Sequence, residues 1–442
     1  MKAGIVGAGI MGRLLAFSLN NAGWQVTLFD KDDERGSESC SMAAAGLLTP
    51  ITELDKSDPV IYALGKEALK THWPKIINKL SDFVYFQRQG SLLLAHSRDN
   101  AELSRFIKII ASKYSPLQSN EQNMGATMPF CPPHPNPLSQ KRTGGEGKLS
   151  LQNLESTTLS LQQNLESSTL SLQQNLESST LSFQQKLESS TLSFQQKLES
   201  SPTHAIFQEL TQTEITLLEP EITKFNTGYY FSDEGQIDNQ ALLSALYSHL
   251  IKKNIRWQEK TFVQEIKKNK IYLNNSIEEF DMVFDCRGLG AKSQFNDLRG
   301  IRGELIWLHA PQVNIQRPIR FLHPRYSIYV VPRPQHIYIL GASEIESEDN
   351  SNVSVQSTLE LLSAAYYLHP GFAEARIIKM LSQCRPTLAD HLPKIKFTEG
   401  MIAINGLYRH GFLIAPTLVE EILRYLTQGN SSIQYPQLWE KQ

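Results

Sequence analysis

The chain has 442 residues, of which 40% are hydrophobic and 20% are charged, a composition typical of a globular protein with two or more packing units. Its 43 basic and 45 acidic residues nearly cancel, so no basic surface argues for nucleic acid or an anionic membrane as a partner. The four cysteines are scattered and form no C-x-x-C, which argues against a zinc site, predicts no metal, and indicates reduced thiols rather than a disulfide scaffold.

The first thirty residues predict a βαβ unit that binds a dinucleotide. A short apolar strand, residues 3–6, leads into a G-x-G-x-x-G formed by Gly7, Gly9 and Gly12, then a helix and a second strand that ends at Asp30. The first glycine allows a tight turn, the second lets the backbone approach a pyrophosphate, and the third lets the helix lie close to the strand. The helix N-terminus offers N–H groups to phosphate oxygens, and the acid can accept hydrogen bonds from a ribose. The alternative is a glycine-rich turn in an ordinary βαβ unit.

Two segments before residue 115 have clear patterns. Residues 59–80 carry apolar residues at helical spacing, which predicts an amphipathic helix. Residues 83–97, FVYFQRQGSLLLAHS, predict a strand, a turn and a second strand.

From about residue 115 to 202 the composition changes abruptly. Prolines and glycines over residues 130–147 argue against a regular element. An eleven-residue repeat begins at Leu159, as LSLQQNLESST twice, then LSFQQKLESST and LSFQQKLES. Its apolar residues fall poorly on one helical face and its Ser and Thr compete for the backbone, so we predict a disordered or weakly helical insertion. The alternative is an arm that binds a partner or self-associates, and no chemistry is expected from it.

The pattern becomes regular again after the insertion. Residues 229–250 predict a turn followed by a helix, and residues 263–285 predict short strands with a hairpin at Asn274-Asn275. An apolar strand within residues 280–293 ends in a Gly288 and Gly290 turn, which would return the chain to the nucleotide. The segments GELIWL, SIYVVP and HIYILGAS then predict a sheet that covers a flat ligand.

Taken in order, several of these motifs resemble the FAD-dependent D-amino acid oxidase superfamily. They cover residues 1–114 and 203–428 and are most similar to the glycine oxidases of thiamine biosynthesis. The motifs that carry the resemblance are GAGIMG, AAAGLLTP, the late strand with its glycine turn, RGELIWL, YVVPRP, QCRPTLADHLP and NGLYRHGFLIAP.

The resemblance implies an α/β fold, with a Rossmann-like FAD-binding domain, an antiparallel β-rich substrate domain and the low-complexity repeat insertion. It divides the chain into FAD-binding parts at 1–80, 236–300 and 376–442, substrate-domain parts at 81–114 and 301–375, a substrate-domain or connecting part at 203–235, and the insertion at 115–202.

The resemblance also implies roles for individual residues. Arg385 matches the arginine that binds the substrate carboxylate, Tyr329 a tyrosine near that carboxylate, and Arg409 an arginine near the flavin and the pocket. An arginine offers a planar, permanently charged fork that suits a carboxylate. For Arg385 and Arg409 the alternative is a surface or structural ion pair, and for Tyr329 it is a core-facing ring. His410 could carry a proton, and its alternative is a hydrogen-bonded structural histidine. The expected cofactor contacts are Gly7, Ala8, Gly9, Ile10, Met11, Gly12, Asp30, Lys31, Ala44, Ala45, Gly46, Leu47, Gly288, Gly290, Gly406, Arg409, His410, Gly411, Phe412 and Leu413.

The expected activity is the oxidation of glycine or another small amino acid or amine to an imine. Hydride would pass to flavin N5, and molecular oxygen would accept the electrons with formation of hydrogen peroxide. Cys384 lies near the position where sarcosine-oxidising relatives attach flavin covalently, but it immediately precedes Arg385, so we expect non-covalent FAD.

Two other functions fit the same residues. One is a D-amino acid dehydrogenase that passes electrons to a quinone, and the other is an inactive flavin-binding protein with the repeats as an interaction arm. We expect a cytoplasmic protein with no integral membrane segment, and a homo-oligomer is compatible with the resemblance.

Overall fold

The computed structural model describes residues 1–33, 36, 38–122, 206–323 and 326–441. Residues 1–118 and 206–442 form one compact unit. The predicted repeats, with their alternative interpretations, therefore lie outside the described residues. At the start of the predicted insertion the helix Asn100–Gln122 continues past residue 115, and the boundary of the insertion stays a prediction.

The strands of the described residues run in chain order. They are β1 (Lys2–Val6), β2 (Gln25–Phe29), β3 (Leu47–Leu48), β4 (Phe86–Gln87), β5 (Ser91–Ala95), β6 (Gln208–Thr211), β7 (Thr227–Phe231), β8 (Gly235–Ile237), β9 (Arg256–Gln258), β10 (Val263–Lys267), β11 (Lys270–Leu273), β12 (Ile277–Glu279), β13 (Met282–Asp285), β14 (Arg299–His309), β15 (Ile319–His323), β16 (Tyr326–Arg333), β17 (Ile337–Gly341), β18 (Arg376–Thr387), β19 (Lys394–Thr398), β20 (Met401–Asn405) and β21 (Trp439–Lys441).

The α-helices of the described residues lie in several of the connections between these strands. They are α1 (Ile10–Asn21), α2 (Pro59–Glu67), α3 (Trp73–Ile77), α4 (Asn100–Gln122), α5 (Gln212–Leu218), α6 (Asn239–Lys252), α7 (Val355–Leu368) and α8 (Gly411–Gln428).

A seven-stranded sheet combines strands from the beginning of the chain with strands from its later half, in the order β21-β19-β20-β13-β1-β2-β9. All neighbours are parallel except β19 and β20. β1 lies at its centre, between β2 and β13, and its residues from Ala3 onward are buried. A central parallel strand is covered on both faces, which explains its continuous apolar sequence. The predicted βαβ unit and the late strand β13 are confirmed.

Different layers cover the two faces of this sheet. Helices α1, α2, α6 and α8 share one apolar core with the sheet. The small antiparallel sheet β10-β11-β12 packs in a second core with Val6, Phe29 and Val283. β11 and β12 are antiparallel neighbours across the Asn274-Asn275 turn, which confirms the predicted hairpin.

An eight-stranded sheet forms the rest of the body, in the order β18-β14-β17-β16-β15-β5-β7-β6. Its neighbours are antiparallel apart from β15 and β5. The predicted strand pair at residues 83–97 does not form a hairpin, because β4 pairs with β8 while β5 pairs with β7 and β15. The α/β class with mixed sheets is confirmed, and the division into FAD-binding and substrate-binding parts stays a prediction.

The helix predicted at residues 59–80 is present but not regular. Asp58 caps it by accepting from the Val60 N–H, and a π-helical turn over Ala68–His72 separates α2 from α3. Pro74 is the second residue of α3. Because proline has no N–H to donate to the preceding turn, the regular hydrogen-bond ladder of the helix is interrupted there.

One fully buried carboxyl group, that of Glu234, connects three segments. It accepts hydrogen bonds from the Thr52 N–H at 2.6 Å, from the Thr52 hydroxyl and from the Ser91 hydroxyl. Burial raises the pKa of Glu234 from 4.5 to about 7, although these hydrogen bonds and Arg320 favour its ionised form.

The protonated Glu234 makes folding stability depend on pH. Between its ordinary pKa of 4.5 and its folded pKa of about 7, the folded state binds the proton more tightly than the unfolded state. The contribution is complete below 4.5 and is lost as pH rises through 7. The wild type should lose folding stability on the order of 3 kcal/mol between pH 4.5 and 7.5 because of this group, and we expect Glu234→Gln not to show that loss. The measurement is Tm against pH, with the exposed Glu374→Gln as control. Parallel Tm curves for the wild type and Glu234→Gln would contradict the assignment.

Candidate active site

The glycine turn after β1 brings three backbone segments into close contact. Gly7 has a φ of +102°, and a Cβ there would lie 2.5 Å from the Cys286 carbonyl oxygen. A Cβ on Gly12 would lie 1.9 Å from the Gly7 carbonyl oxygen. At Gly9 a Cβ would meet only the Ser41 hydroxyl among the described residues, at 3.2 Å. Gly7 and Gly12 are therefore required by packing, whereas Gly9 leaves open space beside the N-terminus of α1.

Asp30 lies at the end of β2, at the same edge of the sheet. One carboxylate oxygen accepts from the Ala8 N–H and the other from the Asp32 N–H at 2.8 Å. Burial raises the pKa of Asp30, and the two backbone hydrogen bonds oppose that rise. The side chain is thus held in place as an acceptor where a ribose would lie. Lys31 lies beside it and forms an exposed ion pair with Glu38 at 3.4 Å.

The segment of residues 43–47 forms the wall between the two ends of the site. The buried Arg333 holds it by donating to the Ala45 carbonyl oxygen at 2.5 Å and to the Ile237 carbonyl oxygen at 2.8 Å. Gly46 has a φ of +63°, and a Cβ there would lie 2.0 Å from the same Ile237 oxygen. Gly46 is therefore required by packing against Ile237, and the segment as a whole lines the cavity.

Three cysteine side chains line the cavity as free thiols that form no disulfide, those of Cys40, Cys286 and Cys384. Burial raises the pKa of Cys40 to about 11 and raises the pKa of the other two thiols as well. The thiols are therefore protonated and poor nucleophiles near neutral pH.

Arg385 and Tyr329 lie at the other end of the site. Arg385, on β18, rests its guanidinium over Gly303, where a Cβ would lie 2.2 Å from Nη2. Its Nη1 donates to the Ser343 carbonyl oxygen at 3.1 Å. Among the described residues it forms no ion pair. Tyr329, on β16, has a pKa raised to about 12, chiefly by burial and against the field of Arg385, so its hydroxyl stays protonated.

Arg409 has a different environment. Its Nε donates to Glu53 Oε2 at 2.7 Å, and its Nη1 lies 3.3 Å from Glu344 Oε1. Arg320, on β15, donates to the other oxygen of Glu53 at 2.7 Å and to the Thr52 carbonyl oxygen at 3.1 Å. Arg409 is thus part of an ion-pair network, the alternative interpretation of its sequence position.

The ionised form of Glu53 is strongly favoured. Burial alone would raise its pKa, but Arg409, Arg320 and the hydrogen bond from His410 together hold it well below 4.5. Glu344 behaves similarly: burial opposes ionisation, yet the Tyr408 hydroxyl, Arg409 and Lys56 lower its pKa to about 2. Both carboxylates are therefore weak bases.

His410 is buried and uses only one ring nitrogen. Nε2 lies 2.9 Å from Glu53 Oε2 and 3.1 Å from the Ser57 hydroxyl. Burial lowers the pKa of His410 although Glu53 opposes that change, so the ring is neutral. Because a carboxylate only accepts, the proton is assigned to Nε2. Nδ1 is then a buried acceptor, without a partner among the described residues.

These elements enclose one continuous cavity of about 800 Å³. Most of the predicted site residues line it, from Gly7 and Asp30 at one end to Arg385, Tyr329 and Arg409 at the other. Three predicted cofactor residues do not: Ala8, whose N–H is bound to Asp30, Gly12, which packs on Gly7, and Gly406. Gly406 has a φ of +77° and lies against Leu388, so it shapes the turn before α8.

The end of the cavity that contains Arg385, Tyr329 and Arg409 is called the charged end below. The sequence interpretation missed five residues there. Tyr408 is adjacent to the predicted Arg409, and an inspection of NGLYRHGFLIAP for polar side chains would have included it. The other four have no local signal, because each becomes a site residue only through a partner distant in the sequence. They are Glu53, Gly303, Arg320 and Glu344.

The sequence profile of the DAO family, described as FAD dependent oxidoreductase, matches residues 2–129 and 167–422. The chain belongs to this FAD-dependent oxidoreductase family. It is 27% identical over 427 residues, 96% of each chain, to a protein of Rhizobium etli provisionally assigned as the thiamine biosynthesis oxidoreductase ThiO.

Solved structures share the fold of this FAD-dependent oxidoreductase. The glycine oxidase of Geobacillus kaustophilus is 16% identical with a TM-score of 0.68, covering 99% of this chain and 97% of that one. The iminodiacetate oxidase of Chelativorans sp. BNC1 is 17% identical with a TM-score of 0.69, covering 99% of both chains.

The cavity suits an FAD molecule on two observations. Gly9 leaves the space of a side chain open beside a helix N-terminus, and the buried Nδ1 of His410 has no partner among the described residues. The volume is also within the roughly 300–1,000 Å³ of ligand pockets. In the described part of the chain, no group of three or more His, Cys, Asp or Glu side chains could hold a metal ion, and no helix is long and apolar enough to cross a membrane.

Gly9 provides a direct test of the cofactor position. We expect Gly9→Val to fold but to lose bound flavin, because the valine would project into the open space where the pyrophosphate must approach. Gly12→Val is the comparison, and we expect it to fail to fold because its Cβ would clash with the Gly7 carbonyl. The measurements are flavin absorption and far-UV circular dichroism of each purified variant. A normal flavin content in Gly9→Val would show that the cofactor lies elsewhere.

Proposed function

We propose that this FAD-dependent oxidoreductase oxidises glycine or another small amino acid or amine to an imine, with molecular oxygen as electron acceptor and hydrogen peroxide as product. We propose further that the reaction serves thiamine biosynthesis, as the name of the Rhizobium relative suggests for that protein. The observation that carries the proposal is the guanidinium of Arg385, which lines the cavity and has no ion-pair partner among the described residues.

Arg385 suits a substrate carboxylate because the other arginines nearby already have carboxylate partners. Arg320 and Arg409 both bind Glu53 at 2.7 Å, whereas Arg385 makes only the bond to the Ser343 carbonyl oxygen. The planar fork of an arginine can bind a carboxylate through two parallel hydrogen bonds. Binding at this point would hold the substrate in one orientation, which lowers the entropic part of the barrier.

Tyr329 would act beside the carboxylate. Its pKa of about 12 keeps the hydroxyl protonated at any working pH, so it can donate a hydrogen bond to an anionic oxygen. It pairs with Gly341 on β17, where a Cβ would lie 2.8 Å from the Tyr329 hydroxyl oxygen, so the ring lies directly against this glycine.

The residues at the opposite end would hold FAD. Gly9 and the N-terminus of α1 would face the pyrophosphate, Asp30 the ribose, and the wall at residues 44–47 together with residues 411–413 the flavin ring. When bound, FAD supplies the hydride acceptor for the substrate α-carbon. The protonated, buried thiols give no reason to expect a covalent link, so we propose that the cofactor is non-covalent.

Among the described residues at the end of the cavity with Arg385, no side chain is suited to act as a strong base. Glu53 and Glu344 are ion-paired carboxylates with low pKa, and burial lowers the pKa of His410, whose Nε2 is bound to Glu53. We therefore propose that the amine enters in its neutral form, so that no side chain has to remove a proton.

The activity can be tested directly. We expect the purified yellow protein to be bleached anaerobically by glycine, sarcosine or D-alanine, and to form one hydrogen peroxide for each amine consumed in air. Electrons that pass to a quinone without peroxide would favour the dehydrogenase alternative. A yellow protein that none of these amines bleaches would refute the proposed activity.

Replacement of Arg385 tests the carboxylate anchor. We expect Arg385→Met to raise KM at least about thirtyfold, corresponding to roughly 2 kcal/mol or more, because the substrate carboxylate would lose its only cation. The flavin spectrum should be retained. The control is Arg376→Met, which removes an exposed arginine from the same strand. Unchanged steady-state kinetics in Arg385→Met would remove this residue from the site.

A further inference from the structure

Four arginines line the cavity, and among the described residues only Arg385 forms no ion pair with a carboxylate. Arg287 is bound to Asp285, whereas Arg320, Arg385 and Arg409 lie at the end with Tyr329, where three available guanidinium groups would attract dianionic acids. What distinguishes them is Glu53, whose two oxygens are each bound to a different arginine.

Glu53 satisfies both partners with good geometry. Arg320 Nη2 lies 2.7 Å from Oε1, and Arg409 Nε lies 2.7 Å from Oε2. The side chain of Glu53 is 9% exposed, and those of the arginines are 17% and 19% exposed. At this burial the charges are only weakly screened by water, so the pairing strongly reduces their attraction for a second anion.

The network lies close to where the substrate would bind. Tyr329 pairs directly with Arg320 across β15 and β16. The pKa of its hydroxyl is affected by the charges of four nearby side chains, those of Arg385, Glu53, Arg320 and Arg409. Arg385, Glu53, Arg320 and Arg409 therefore all lie within electrostatic range of one hydroxyl group, and a substrate held by Arg385 would bind close to the Glu53 network.

We propose that Glu53 is a specificity-determining residue, which restricts the site to acids with a single carboxylate because it neutralises Arg320 and, together with Glu344, Arg409. This inference rests on the proposed binding of the substrate carboxylate by Arg385. A second carboxylate on the ligand would meet the ionised Glu53 instead of a free cation, so the site selects by repulsion as well as by attraction.

The test uses carboxylic acids that have no amine to oxidise. The FAD-loaded protein is titrated with acetate and with malonate, and each Kd is read from the change in the flavin absorption spectrum. In the wild type we expect acetate to bind more tightly than malonate. In Glu53→Gln we expect the ratio of malonate Kd to acetate Kd to fall about tenfold, because the two arginines lose their anionic partner.

A second variant changes the balance in the opposite direction. In Arg320→Met, Glu53 keeps only Arg409 and its negative charge is less neutralised, so we expect the malonate to acetate ratio to rise about threefold. The control is Glu346→Gln, which removes an exposed carboxylate outside the cavity and should leave the ratio unchanged.

Each outcome decides the proposal. An unchanged ratio in a flavin-loaded Glu53→Gln protein overturns it. If that variant does not fold, an unchanged or lowered ratio in Arg320→Met overturns it, and so does a wild type that prefers malonate, whatever the variants do. A wild type that binds neither acid removes both this inference and the Arg385 anchor. Expected ratios in a protein that oxidises no amine would refute the proposed activity and leave the role of Glu53 in place.

Discussion

The charged end of the site depends on the pairing of one buried carboxylate, that of Glu53. A buried ionised group is tolerated only when opposite charges and hydrogen bonds replace its water, and loss of one partner from such a pair typically costs roughly 3–5 kcal/mol. Here the partners come from β15 and from the turn before α8, through Arg320, Arg409 and His410. The same contact therefore joins a strand of the eight-stranded sheet to the helix that covers the seven-stranded sheet, and it fixes the geometry of the cavity between them.

The end of the cavity with Gly7, Gly9 and Asp30, where we propose that the nucleotide binds, is called the nucleotide end. Its geometry could be predicted from the sequence because residues close together in the chain determine it. The tight turn at Gly7, the close packing at Gly12 and the acid at the end of β2 all follow from spacing within thirty residues. The hairpin at Asn274-Asn275 and the alternating strands were predicted for the same reason. Rules of this kind depend on backbone geometry, which a short segment determines largely by itself.

The charged end could be predicted only in part, because its residues acquire their roles through distant partners. Arg320 and Arg409 lie 267 and 356 positions from Glu53. A lone glutamate in ITELD has no signal of burial, and nothing in its neighbourhood indicates two guanidinium partners. The resemblance pointed to both Arg385 and Arg409, and more strongly to Arg385. Only the structure shows that one has no carboxylate partner among the described residues while the other is bound to Glu53 and Glu344.

The two ends therefore have different relations to function. Backbone groups and glycines form the nucleotide end, and a dinucleotide can be held there with little dependence on the other side chains. Side-chain charges form the other end, where the exchange of one ion pair would change the number of free cations without moving a strand. Proteins that share this fold at 16% and 17% identity carry the names of oxidases of different amines, one with a single carboxylate and one with two. Fold likeness alone consequently says little about the substrate. The balance of charge among Arg385, Arg320, Arg409 and Glu53 is the feature of this chain from which its substrate class can be argued.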